Sequence, residues 1–367
     1  MPTHVSQAHE LPPAPPVRVV DRGPPHGRVL VATQSLQPGT TILEEQPLIL
    51  VRGGSMDANA LIGIYCAFLA APPAVQSQVL DFFSPVQPDL RTALLATGKV
   101  DARQVEECMK VVLAFLFSAY KIPAGYGAPH ASVGLYAMAC KAAHSCQPNC
   151  YSVPDQQGRR AVRTLVDVTE GEELCVDYLN EVLLPVHQRQ ARLKKLWEFM
   201  CGCPRCVAHG DDTRRFPCME ATCTGHHLAH QPTAEDQAEL TACSVGGTHA
   251  SPSYTSRMLR QEAGLIQEVA VIRGLVDSGA SEDDVLPLIM RLQPPHPHHH
   301  LAAEAAHLQG VLYHNTEQWV QAEVECRDAI THLPSYTTAR LHALRGDTLM
   351  QASRTVGTGA GRSESVV

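Results

Sequence analysis

Apolar and polar residues alternate over short spans near the start of the chain. The runs VRVV, GRVLVAT, TTILEE and PLILV are rich in β-branched residues and divided by RGPPHG and QPG. They predict a hairpin-rich β region beginning near Val17. Between Asp57 and Tyr120 the apolar positions fall at helical spacing instead, in ANALIGIYCAFLA and QVEECMKVVLAFLFSAY, separated by Pro72, Pro73 and Pro85. This predicts a helical insertion. After IPAGYGAPH the strand pattern resumes in SVGLYAM, in YSVPDQQGRRAVRTLVDV with a hairpin turn at Asp155 to Gly158, and in GEELCVDYL. A helix, VHQRQARLKKLWEF, comes next, and then a stretch holding most of the remaining cysteines. From about Ser253 the pattern is helical, interrupted by QPPHPHHH (Gln293 to His300), which reads as a linker.

In the last segment Gly310, Tyr313, Ala322, Ala329 and Pro334 fall at the spacings of a tetratricopeptide (TPR) unit. An ordinary helical hairpin in a bundle satisfies the same spacing. The chain thus divides into a disordered leader over 1–16, a β-rich domain over 17–180 with its helical insertion at 53–120, and a cysteine-rich region over 181–250. A helical TPR-like domain over 251–355 and a disordered tail over 356–367 complete it.

Composition narrows the function. The 367 residues are 44% hydrophobic, enough for a sizeable core, and carry a formal net charge of -8. That balance argues against direct nucleic-acid binding through the phosphate backbone. No stretch is long and apolar enough to span a membrane, and MPTHVSQAHELPPAPP has no basic region leading into an apolar one. Cytoplasm or nucleus is the expected location. There, 13 cysteines read as buried small hydrophobes, metal ligands or reactive thiols rather than disulfides.

MCGCPRC places Cys201, Cys203 and Cys206 close enough to converge on one ion. Structural zinc takes four ligands, so a fourth must come from elsewhere, with Cys146, Cys150, Cys218, Cys223 and several histidines as candidates. A second set, Cys218 and Cys223 in FPCMEATCTG with Cys243 in TACSVGG, has no fourth cysteine near Gly246. Either one of His226, His227, His230 and His249 completes it, or the segment is a degenerate, metal-free loop.

The ordered series GRVLVATQSLQPGTTILEEQPLI, SVGLYAMACKAAHSCQPNC, VTEGEELCVDYLN and WEFMCGCPRC resembles the SET domain of protein-lysine methyltransferases, in particular the SET-and-MYND (SMYD) family. Residues 52 to 120, where a MYND zinc module is expected, contain only Cys66 and Cys108, so the chain resembles a relative without it. The resemblance implies an α+β fold with a SET pseudoknot, a post-SET zinc site of Cys146, Cys201, Cys203 and Cys206, and an all-α C-terminal region. It implies S-adenosylmethionine as cofactor, structural Zn2+, and a lysine-containing protein as substrate, histone or not. Tyr178 matches the active-site tyrosine, Trp197 stands in the lysine channel, and Arg28, Ser118, Ala143, His144 and Phe199 match cofactor-binding positions, His144 through its backbone.

Three of these positions depart from the family pattern. Gly27-Arg28-Val29 replaces G-x-G, putting a side chain at Val29 where backbone normally approaches the cofactor. Ser118 stands for an asparagine, and Ala143 replaces the asparagine of NHSC, deleting an amide. Two readings result: a protein-lysine N-methyltransferase, or a weak or inactive SET protein that binds protein partners through its TPR-like helices.

Overall fold

The computed structural model describes residues 15–23, 27–52, 58–82, 88–122, 132–154, 158–179, 184–230, 239–316, 318, 320–322 and 324–325. Residues 1–14 of the expected leader, the expected tail, Ala329 and Pro334 lie outside them. The chain divides into two compact units, residues 1–143 with 149–176, and residues 144–148 with 177–367.

In the first unit, β1 (Val17–Asp21) and β2 (Arg28–Ala32) form an antiparallel hairpin with Val17 opposite Ala32 and Asp21 opposite Arg28. Val29 to Ala32 are all buried, so β2 is covered on both faces rather than alternating. Gly27 closes the turn at φ 63, a conformation open to glycine at little cost. Next along the chain are β3 (Thr41–Glu45) and β4 (Ile49–Arg52), then four helices. These are α1 (Ala58–Leu69), α2 (Pro73–Leu80), α3 (Pro88–Ala96) and α4 (Val105–Ser118), as the sequence expects of the insertion. Val105, Cys108, Val112 and Phe115 recur at helical spacing on α4 and are buried with Leu61, Tyr65, Phe68 and Leu94. The same core takes in Ile49, Val133 and Leu135 from the adjoining sheet.

That sheet has β6 (Ser132–Leu135) between β4 and β5 (Tyr120–Ile122), all antiparallel. Every residue of β6 is buried. Tyr136 folds its ring back over Gly134, where a Cβ would lie 3.0 Å from the ring, and its hydroxyl donates to the Gly158 carbonyl at 2.6 Å. The chain leaves the unit within β7 (Ala143–His144) and re-enters at β8 (Cys150–Pro154). β8 pairs with β9 (Arg160–Thr164), which pairs with β3, and β10 (Cys175–Val176) ends the unit. Of GEELCVDYL, only Cys175 and Val176 are strand.

Asn149 ties this part together. Its amide donates to Glu172 Oε1 at 3.0 Å and to the Glu173 carbonyl at 2.8 Å, and its Oδ1 accepts from the Cys175 N–H at 2.8 Å.

The second unit begins its regular structure with α5 (Val186–Trp197) and the one-turn α6 (Pro204–Val207). Beyond α6 the structure has a hairpin where the hydrophobic pattern shows only cysteine-rich loop: β11 (Gly210–Pro217) with β12 (His226–His230). The β11 segment GDDTRRFP hides its strand because Asp211, Thr213 and Arg214 are buried polar residues, so no apolar alternation shows. Phe216 and Ala229 of the hairpin pack with Leu240, Tyr254 and Met258.

α7 (Pro252–Asp277), α8 (Glu282–Arg291) and α9 (His300–Asn315) close the described part. Ser251 and Ser281 cap α7 and α8, accepting from the N–H groups of Tyr254 and Asp284. Leu265, Val269, Ile272 and Val276 of α7 meet Val285 and Ile289 of α8 and Leu301, Leu308 and Leu312 of α9. Gly310 and Ala322 of the repeat pattern are buried as well. The histidine run is not all linker. His299 caps α9 by accepting from the Leu301 N–H, and His299 and His300 are buried.

Both histidines face Glu262 of α7, which receives Arg214 Nε at 2.8 Å and Nη2 at 2.5 Å. Burial raises the Glu262 carboxyl, but the two Arg214 bonds, with the rings of His299 and His300 nearby, outweigh it and hold the group well below the carboxylate range. Although Glu262, His299 and His300 lie close enough to share an ion, Arg214 occupies both carboxylate oxygens, and His299 Nδ1 is committed to Leu301. The group is a buried ion-pair network. No helix among the described residues is long and apolar enough to cross a membrane.

Candidate functional site

The site of the second unit is assembled around α5. Asp211 of β11 accepts from the Val186 N–H at 2.7 Å and so satisfies the start of the helix. At the other end Glu198 sits at φ 63, among the described residues the one non-glycine in the left-handed region. That conformation costs about 1–2 kcal/mol and reverses the chain between Trp197 and Phe199. Gln190 then pins the chain at Cys201, accepting from the Cys201 N–H at 2.8 Å and donating to the Cys201 carbonyl at 2.7 Å. Cys203 precedes α6, and its carbonyl accepts from the N–H of Cys206 at 2.8 Å.

These contacts bring Cys201, Cys203 and Cys206 to Cys146, whose carbonyl receives Arg205 Nη1 at 3.1 Å. The four sulfurs lie within 4.8 Å of one another, with Cys203 half-buried and the other three buried. Four thiols at this spacing fit a tetrahedral zinc ion and leave no open coordination position, which suits a structural role. Hydrogen bonds among the four sulfurs lower the Cys201 and Cys203 thiols, Cys203 to about 5, and raise those of Cys146 and Cys206, so the four titrate as one group. The fully buried Arg189 has Nη2 3.9 Å from Cys206 Sγ and places positive charge beside the sulfurs.

His144 links this cage to an aromatic cluster. Its Nδ1 accepts from the Tyr178 backbone N–H at 3.1 Å, so the neutral ring carries its proton on Nε2, which lies 3.3 Å from Cys146 Sγ. Beside it Asp177, with Oδ1 3.7 Å from Nδ1, is held above the usual carboxylate range by burial. The ring centroids of His144 and Tyr178 are 5.2 Å apart, those of His144 and Phe199 5.8 Å, and those of Tyr178 and Trp197 5.4 Å. Half-buried aromatic faces of this kind favour a cation, whether sulfonium or ammonium.

Of the residues singled out in the sequence, Tyr178, Trp197, His144, Phe199 and the four cysteines are therefore together in one unit. Arg28, Ser118 and Ala143 belong to the other. There the Arg28 guanidinium bonds the carboxylate and carbonyl of Asp81 after α2, Ser118 ends α4 half-buried, and the Ala143 N–H donates to the Leu174 carbonyl at 3.2 Å. Val29 is 2% exposed, its side chain part of the core.

Sequence reasoning missed Gln190, Arg189 and Arg205. Arg189 and Gln190 sit in a polar run that looks like a solvated face, Arg205 lies within MCGCPRC itself, and only the fold turns the three toward the cysteines. It also assigned His144 a backbone role and did not foresee the side-chain bridge.

Residues 27–179 match the SET domain family model. The protein therefore carries a SET domain. Part of the chain is similar to SMYD-type SET proteins. Over 82 residues it is 37% identical to the chicken (Gallus gallus) protein-lysine N-trimethyltransferase SMYD5, covering 22% of this chain and 20% of that one. It is 35% identical over 80 residues to the human histone-lysine N-methyltransferase SMYD3, covering 22% and 18%. With the SET domain and MYND-type zinc finger protein 6 of Schizosaccharomyces pombe the figure is 39% over 70 residues, covering 18% and 14%. The matches span about a fifth or less of these relatives' length.

Proposed function

We propose that the chain is an S-adenosylmethionine-dependent protein-lysine N-methyltransferase, acting on a histone or non-histone lysine. The observation that carries this reading is the Tyr178–His144–Trp197–Phe199 cluster mounted on a four-cysteine cage within a SET-domain protein. S-adenosylmethionine, when bound, supplies an electrophilic methyl group on a sulfonium. His144 and Phe199 of the second unit would help hold it, their aromatic faces suiting its positive charge, while Arg28, Ser118 and Ala143 are assigned to cofactor binding by the family resemblance alone.

Methyl transfer is an in-line displacement that leaves little covalent chemistry to the protein, so alignment and exclusion of water are its main contributions. The Tyr178 hydroxyl orients the lysine amine, and Trp197 lines its channel. The amine attacks only when neutral, and a cationic sulfonium beside a channel closed to water would lower its pKa in that direction. Cys146, Cys201, Cys203 and Cys206 would hold a zinc ion that fixes the segment carrying Trp197 and Phe199, and His144 joins that cage to the backbone of Tyr178. The TPR-like helices after Pro252 would present protein partners or help seat the substrate protein.

Titrating S-adenosylmethionine into the full chain tests the reading, with stabilisation that grows with occupancy as the expected result. Absence of binding at millimolar cofactor would sink it in favour of an interaction module. Tyr178→Phe should reduce methyl transfer to a protein lysine by about 10²-fold, while leaving cofactor affinity nearly unchanged. Unchanged turnover would refute the assigned role.

A further inference from the structure

The second unit holds a second set of thiols that the proposed activity does not use. Cys218 directly follows β11, Cys223 comes in the turn after it, and Cys243 lies beyond β12, yet their sulfurs all fall within 4.8 Å of one another. Backbone bonds fasten the two turns together. The Cys218 N–H donates to the Gly225 carbonyl at 3.1 Å, the Cys243 N–H to Thr248 at 2.9 Å, and the Ser244 N–H to His226 at 2.9 Å.

Two observations separate this cluster from chance proximity. The Cys223 sulfur accepts from the Gly225 backbone N–H at 3.4 Å, two residues further on. Amides aimed at sulfur stabilise the thiolate and are wasted on a neutral thiol. In addition, Gly225 leaves room for the sulfur of Cys243, since a Cβ there would lie 2.4 Å from it. The Cys223 and Cys243 sulfurs are 3.6 Å apart, far beyond a disulfide and close to the edge of a tetrahedron of about 3.8 Å set by Zn–S bonds of about 2.3 Å.

We propose that Cys218, Cys223 and Cys243 hold a second zinc ion, whose fourth ligand comes from solvent. Among the described residues no fourth Cys, His, Asp or Glu joins the group. Two-turn zinc sites commonly use C-x-x-C, and the place of the missing cysteine is Gly246. A Cβ on Gly246 would meet only the Thr248 hydroxyl, at 3.4 Å, and residues 244–249 are exposed, so an outside donor has access. Water fills the position at rest, and a small thiol replaces it.

Metal analysis of the full chain, purified anaerobically without chelator, is expected to give two zinc ions per chain. Cys243→Ser should lose one and Cys201→Ser the other. In Co2+-substituted wild type a small thiol such as 2-mercaptoethanol should change the d–d and sulfur-to-metal bands, and in Gly246→Cys it should not. One zinc per wild-type chain, retained by Cys243→Ser, overturns the proposal, as does a Cys223–Cys243 disulfide that resists alkylation until reduced. Wild-type cobalt bands indifferent to thiol overturn the open position. The wild-type count and spectrum stand even if a variant fails to fold, and neither depends on methyl transfer.

Discussion

Replacing Asn149 by alanine removes three side-chain hydrogen bonds at a residue only 9% exposed. Two of them serve backbone groups, the Cys175 N–H and the Glu173 carbonyl, and an unsatisfied buried backbone group costs about 1–3 kcal/mol. The third serves Glu172, whose carboxylate regains water. The expected loss is therefore about 3 kcal/mol, read as a shift of the urea midpoint at constant slope. Amide exchange should quicken at Cys175 before it does in β8 and β9.

Asn149→Asp adds a check on sign. Its carboxylate keeps the bond from Cys175 but meets Glu172 and the Glu173 carbonyl without a proton to offer, so its folded pKa is raised. Such a group binds more protons folded than unfolded, and stability returns as pH falls through the folded pKa. Asn149→Asp should be at least as unstable as Asn149→Ala at pH 7 and should gain on it toward about pH 5. A loss under about 1 kcal/mol for Asn149→Ala, or parallel pH curves for the two variants, would refute the reasoning.

The second unit yields further expected outcomes. Cys203→Ser should lower zinc content by one ion and weaken the segment from Trp197 to Cys206, visible as loss of Trp197 fluorescence anisotropy in a Trp319→Phe background; full zinc retention would point to another ligand set. Glu262→Gln leaves the Arg214 charge buried without its carboxylate and should cost about 3–5 kcal/mol, whereas Arg214→Met with Glu262→Leu should recover most of it. His299 is buried and pushed down to about 4, first by desolvation, and burial lowers His300 too. The unfolded chain then binds protons that the folded one refuses, so stability present above about pH 6.5 falls as pH drops toward 4, by about 3 kcal/mol for His299. His299→Asn should flatten that slope in thermal melts, and an unchanged slope would remove the histidine from the account.

Much of this organisation is legible in the residues. The β-branched runs, the helical spacing of α1 and α4 and the helix α5 all appear where the hydrophobic pattern puts them, because each buries one face or one stripe. The C-x-C-x-x-C spacing points to a group of sulfurs able to share a metal, and the ordered motifs point to the SET domain that the family model matches. GDDTRRFP and the histidine run escape the pattern for one reason: their buried positions are polar, and polar residues are tolerated inside only when partners from distant segments satisfy them.

Local sequence thus determined the elements and the candidate chemistry, since periodicity and ligand spacing are properties of neighbours along the chain. Tertiary structure alone decided which sulfur meets Cys201, that Gln190 and Arg189 serve the cage, and that His144 joins it to Tyr178. Those outcomes depend on contacts between residues tens of positions apart, whose geometry is set by packing and hydrogen-bond satisfaction. The same holds for the second thiol cluster: three cysteines spread over 26 positions become one site only when two turns are bonded together and Gly225 lets a sulfur in.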